Sequence, residues 1–211
     1  MANTPDPQAN RFYPTQLELT GNRACLDFVN TVSKRKGRPE ESLLIYADLL
    51  AWGVHASLLT PAEAKELSAL TENYPASAVQ VYQEVVALRE TLYRLFQAVI
   101  NDVGLDAAGT TALQRMYVQA LSHASLRSSA GAFDWSWKES DLQTPLWRLV
   151  HDAVELLRTG NPKRLKACAS PGTCASLFYD TSKNNSRRWC SMASCGVPEK
   201  VRQRHQRKPR S

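Results

Sequence analysis

Four of the chain's five cysteines crowd one short stretch: Cys168, Cys174, Cys190 and Cys195. Five residues separate the first pair, fifteen the two pairs and four the second pair. Two close pairs joined by a loop suit a tetrahedral Zn²⁺ site, because each pair supplies two thiolates from one turn and the loop folds the pairs together. Gly172 and Gly196 stand where a backbone turning around a metal needs freedom. Two disulfides or unligated thiols are the alternatives. Disulfides are disfavoured in a reducing compartment, and Met1 to Asn10 contain no positive segment followed by an apolar core, so a cytoplasmic location is expected. Four thiolates fill the coordination shell and leave no open position, so one structural zinc ion is expected, its binding energy acting as folding energy for the segment around it.

Cations surround this frame. Lys163, Arg164 and Lys166 precede it, Lys183, Arg187 and Arg188 lie within it, and Lys200, Arg202, Arg204, Arg207, Lys208 and Arg210 follow it. Residues 161–211 hold twelve Lys/Arg against two Asp/Glu, so the overall +6 is the sum of about +10 there and about −4 before it. Such asymmetry points to an anionic partner, either nucleic acid or a membrane surface. A membrane span needs about 20 successive apolar residues, and the chain has no such run. Phosphate binding accounts for the cations directly; Lys183, Arg187, Arg188, Lys200, Arg202 and Arg204 are the candidate nucleic-acid contacts. Trp189 and Tyr179 could stack on a base or pack against the metal frame. Glu199 to Arg207 could form a basic helix, but Pro198 fixes only where it would start.

The elements that hold this frame are mostly helical. Pro14 to Gly21 reads as extended, and Ala24, Cys25, Leu26, Phe28 and Val29 begin an apolar helix that stops near the charged loop Lys34 to Pro39. Tyr46 to Val54 gives a second helix. Thr60-Pro61-Ala62-Glu63 is a capping box that opens a third. Val81, Val85, Leu88, Leu92, Leu95, Phe96 and Val99 step by three or four along a long helix between Ser77 and Asn101. Gly104 to Gly109 reads as a connector before a helix through Leu113 and Leu121. Phe133, Trp135 and Trp137 alternate with polar residues after a Ser-Ser-Ala-Gly turn, which predicts a β-hairpin with one aromatic face, serving the core or a subunit contact. Leu142 to Leu157 returns to helix, and Thr159 to Pro162 marks a boundary. The expected fold is mainly α: a helical bundle over residues 1–160 with a small inserted β-hairpin, then a four-cysteine zinc finger, treble-clef-like or knuckle-like, over 161–211 with a basic tail. A segment that small has little core of its own, so chelation is expected to unfold residues 163–200 and spare the helices.

With these residues in view, the run from Cys168 through Cys174-Ala-Ser-Leu-Phe-Tyr-Asp180 and Arg187-Arg188-Trp189-Cys190 to Cys195-Gly196 resembles the CGNR zinc-finger family. Cys25 to Val32 and Asp48-Leu49-Leu50-Ala51-Trp52 resemble the ABATE domain that precedes that finger. The resemblance implies a bacterial, stress-related transcription regulator with a structural zinc and DNA binding. In place of the family's Asn-Arg after Cys-Gly, this chain has Val197-Pro198. That change leaves all four ligands, and DNA binding is either weakened or shifted onto Arg187, Arg188 and Lys200.

Other residues support less. Asp27 and Asn30, three apart on an apolar helix, could bind a small polar ligand or brace a core. His55, His123, His151 and His205 share no spacing with a nucleophile, and no paired carboxylates suit acid–base work, so no enzyme is expected. The functional expectation is a DNA-binding regulator with a helical sensor domain for a small-molecule or protein signal, able to form a homodimer. The alternative is a zinc-stabilised module that docks on an acidic protein.

Overall fold

The periodic run around Val85 becomes helix α4 (Pro75–Ile100), the axis of the molecule. Its stripe of Val81, Val85, Leu88, Leu92, Leu95 and Phe96 is buried. Helices α1 (Ala24–Val29), α2 (Tyr46–His55), α3 (Pro61–Asn73), α5 (Ala107–Ser122) and α6 (Thr144–Thr159) pack around it. The structure is a computed structural model describing residues 13–129, 131–137 and 141–207.

Local chemistry sets several of these boundaries. Thr60 Oγ1 accepts the Glu63 N–H at 3.2 Å, and the Glu63 carboxylate accepts the Thr60 N–H at 2.6 Å, closing the capping box on α3. Glu63 also pairs with Arg148 of α6, so the cap ties two helices together. Helix α5 starts earlier than the glycines suggest, because the Asp106 carboxylate caps the N–H groups of Ala108 and Gly109 at 3.2 and 3.0 Å. Instead of an extended run, Pro14–Gln16 forms one 3₁₀ turn.

The charged loop 34–39 is bracketed by a short antiparallel pair, β1 (Val32–Ser33) and β2 (Glu40–Glu41). Below it Arg89, 2% exposed, is held by Glu41 at 2.5 Å, Glu90 at 3.1 Å and Thr31 at 3.0 Å. Burial opposes the guanidinium's charge, but Glu41 and Glu90 together raise its pKa on balance.

The hairpin forms as β3 (Ala124–Ser129) and β4 (Ala132–Trp137), pairing Leu126 with Trp135 and Ala124 with Trp137. Its aromatic face is not uniformly core. Trp137 is buried, donating its indole N–H to Ala120 O at 2.9 Å and packing near Trp147, whereas Phe133 and Leu126 are exposed. The hairpin meets α5 through β3 and α6 through β4.

After Asn161 the chain makes an antiparallel pair, β5 (Leu165–Ala167) with β6 (Leu177–Tyr179). Alternation along β6 sends Leu177 into the main helical core and Phe178 toward the cysteines. Leu165 joins Leu177 in that core. The boundary near 161 is thus a change of sequence pattern and not a gap in packing. The segment folds as hairpin, turn and then helix α7 (Val197–Arg207), the treble-clef-like order.

Candidate metal centre and cationic surface

Cys168 directly follows β5, and its N–H donates to Ser176 O at 2.9 Å, extending the hairpin by one step. Cys174 lies in the loop before β6. Cys190 and Cys195 are brought together by a π-helical turn, Met192–Gly196, where the Ser191 hydroxyl caps the Ser194 N–H at 3.2 Å. A Cβ on Gly196 would lie 2.7 Å from Met192 Sδ and 3.2 Å from the Trp189 ring, so any larger residue there would displace the Met192 side chain.

These turns gather the four Sγ atoms within 4.8 Å of one another. Cys174 and Cys190 sulfurs are 3.6 Å apart, Cys190 and Cys195 3.7 Å. Tetrahedral zinc with Zn–S bonds of about 2.3 Å needs an edge of about 3.8 Å, whereas a disulfide needs about 2.0 Å. The spacing therefore fits a metal and excludes bridging. Cys190 N–H donates to Cys168 Sγ at 3.4 Å, and Cys174 Sγ lies 3.4 Å from the Ser176 hydroxyl, the outer contacts that orient thiolate ligands. Hydrogen bonds from the Cys168 and Cys190 sulfurs hold Cys174 well below the ordinary thiol range. Hydrogen bonding to Cys168 and Cys174 pushes Cys190 far up, and burial with the nearby Cys174 charge pushes Cys195 up to about 12. Four thiols at this distance cannot all ionise without a cation among them, which is the charge balance a zinc ion supplies. The cysteines form the site of one structural zinc ion.

A second polar knot stands behind the metal site. Asp180, fully buried, accepts from Lys166 Nζ at 2.7 Å, Ser182 N–H at 2.9 Å and Arg187 N–H at 2.8 Å. Burial disfavours its charge, but these donors hold the carboxyl well below the usual range. Asp180 was assigned no role from sequence; one of only two carboxylates in so cationic a segment, it was the available signal.

The cations divide into two sets. Arg187 turns inward: Nε donates to Trp189 O at 3.0 Å, Nη2 to Thr20 O at 2.8 Å and to Cys190 O, and the guanidinium stacks over the Phe178 ring at 4.3 Å. Its Nε and Nη2 are thereby committed to the scaffold. Lys183, Arg188, Lys200, Arg202 and Arg204 are exposed. Arg188 and Lys200 lie over the Trp189 ring at 5.3 and 5.6 Å, and Arg202 pairs with Glu199 at 3.0 Å. Trp189 packs against the cysteine cluster, and the Tyr179 hydroxyl accepts the Asn161 N–H at 2.9 Å. Both aromatics serve packing.

Asp27 and Asn30 line the seam between α1 and β6. Asn30 donates to Leu177 O at 2.9 Å and accepts the Leu177 N–H at 2.8 Å, standing in for a neighbouring strand. Asp27 accepts the Gly21 N–H at 2.7 Å, while Gly21 O accepts the Tyr179 N–H at 2.9 Å. A Cβ on Gly21 would sit 2.8 Å from Asp27 N, so glycine alone fits this crossing. The two side chains brace the seam.

No helix among the described residues is long and apolar enough to cross a membrane. Among curated proteins, none matches the chain. Residues 164–208 match the CGNR zinc finger, and residues 22–160 match ABATE, a family described as a putative stress-induced transcription regulator. With the greater part of its length covered by that match, the chain belongs to the ABATE family and carries a CGNR zinc finger behind the helical domain.

Proposed function

We propose that this chain is a cytoplasmic transcription regulator whose zinc finger binds DNA through its phosphates and whose helical part receives the signal. The observation that carries this reading is the exposed cationic set, Lys183, Arg188, Lys200, Arg202 and Arg204, on a finger whose inner cations Lys166 and Arg187 are already satisfied internally. Zinc, when bound, fixes the turns from which these residues project. Lys183, Arg188 and Lys200 would neutralise phosphates, and each neutralised phosphate releases counterions. Contacts of this kind position the protein on the backbone without reading base edges. The reading assigns no catalysis to either part.

A fluorescence-anisotropy titration of the full zinc-loaded protein with duplex DNA across a salt series tests it. Substituting Arg188, Lys200 and Arg204 together with Ala should lower the slope of log affinity on log salt by about 0.9 for each phosphate no longer neutralised. Binding no tighter than that of an equally basic unrelated protein would overturn the DNA reading. A second reading, docking on an acidic protein, is favoured by Met192, Val197 and Val201, which are 49%, 51% and 45% exposed beside the cations of α7.

A further inference from the structure

A cleft of about 620 Å³ opens between the end of α4 and the zinc segment. One wall is apolar: Val99 and Ile100 from α4 face Leu165, Ala167 and Ala169 from β5 and the strand end beyond it. The lining also holds the cations Lys163, Lys166, Arg187 and Arg188, with Asp102 its single acid. Lys166 and Arg187 are already held, Lys166 by Asp180 and the carbonyls of Asn185 and Arg187, Arg187 by the carbonyls of Thr20, Trp189 and Cys190. Lys163 and Arg188 are exposed at the cleft and are the two cations left to meet a ligand.

This combination selects among ligands. Inorganic phosphate or a DNA backbone would gain from the cations but leave the apolar wall wet. A neutral apolar molecule would cover the wall but leave the charges unanswered. We infer that the cleft binds a small amphipathic organic anion, a carboxylate on a compact aromatic or short aliphatic body. The carboxylate meets Lys163 and Arg188, and the body covers Val99, Ile100, Leu165 and Ala167. The volume falls within the range of small-molecule sites, and the ligand touches the helical domain and the finger at once. Any effect on DNA affinity would rest on the regulator reading above; binding to the cleft does not.

The test is an ¹⁵N-HSQC titration of the full zinc-loaded protein with sodium benzoate and sodium hexanoate, with benzyl alcohol and inorganic phosphate in parallel. Benzoate or hexanoate should give saturable shifts at amides of Val99, Ile100 and 163–169, at least ten-fold tighter than benzyl alcohol or phosphate. Replacing Lys163 and Arg188 together with Gln should weaken carboxylate binding at least ten-fold. Ala167→Phe, which fills the cleft, should abolish it in a protein with an unchanged melting temperature. Equal response to benzoate and benzyl alcohol, an unchanged affinity in the double Gln variant, or shifts at these amides elicited by duplex DNA and not by the carboxylates would overturn the inference. Because no DNA enters the carboxylate arm, failure of the regulator reading leaves that result intact.

Discussion

Arg187 and Arg188 are neighbours in sequence with opposite employment. Arg187 lies inside the finger, its donors shared among the carbonyls of Thr20, Trp189 and Cys190, while Arg188 is exposed beside Trp189. Arg187→Ala should therefore lower the melting temperature and speed zinc loss to a chelator, and leave the salt slope of any DNA binding unchanged. Arg188→Ala should do the reverse. A melting series with a competing chromogenic chelator separates the two. Asp27 carries a pH signature. Burial at the seam pushes its carboxyl up to about 6. The folded chain then holds a proton that the unfolded chain releases near pH 4, so this group's contribution to stability falls as pH rises from about 4 to about 6 and stays low above that. Asn keeps the acceptor for the Gly21 N–H and cannot ionise. The stability of Asp27→Asn relative to the parent should rise by about 1 kcal/mol between pH 5 and pH 7. Zinc-linked loss on acidification is common to both proteins and cancels in the difference, which urea melts at the two pH values would measure.

Among the elements, the seam between α1 and β6 does the joining. A two-point contact from Asn30 to one residue's backbone completes the edge of a very short strand. Asn30→Ala would leave the Leu177 N–H and carbonyl part-buried without these partners, at about 1–3 kcal/mol. Hydrogen exchange should show the loss first at Leu177 to Tyr179, and uniform loss across all helices would contradict a local seam. The long helix, the capping box and the hairpin were legible in sequence because each follows from local rules: period, cap chemistry and alternation. The early start of α5 at Asp106 was hidden by its glycines, and the exposure of Phe133 was not legible because alternation defines a face without saying what covers it. Asn30 offered two readings in sequence, and the choice depended on a strand about 150 residues away.

For the molecule as a whole, the consequential feature is one apolar core shared by the helices and the zinc segment. Leu165 and Leu177 pack in the cluster that includes Leu92, Leu95 and Phe96. Zinc removal should therefore reach beyond the finger. Chelation should raise amide exchange over 165–196 and also along α1 and the last turns of α4, where the expectation from sequence was sparing of the helices. Protection in α1 and at Ile100 that is identical with and without zinc would show that the two parts fold independently. Docking also gives the cationic surface a fixed orientation: the finger is tied by Asn22, Asn30 and Gly21, and by Lys36 N–H to Thr173 O at 3.3 Å.

The identity of the metal centre was readable from four thiols and their spacing, because coordination geometry depends on ligand type and on how near the ligands can come along the chain. The helical domain was readable for the same kind of reason, since helical period and capping are short-range. Which cations face outward, which aromatic is covered, and that finger and helices share a core were not readable. Those depend on which surfaces meet across long separations in sequence: Arg187 against Thr20, Leu177 against Asn30, and the cleft between Ile100 and Lys163. Burial and hydrogen-bond satisfaction are properties of such meetings, so they are settled by tertiary packing, whereas residue type and spacing settle the chemistry each side chain can offer.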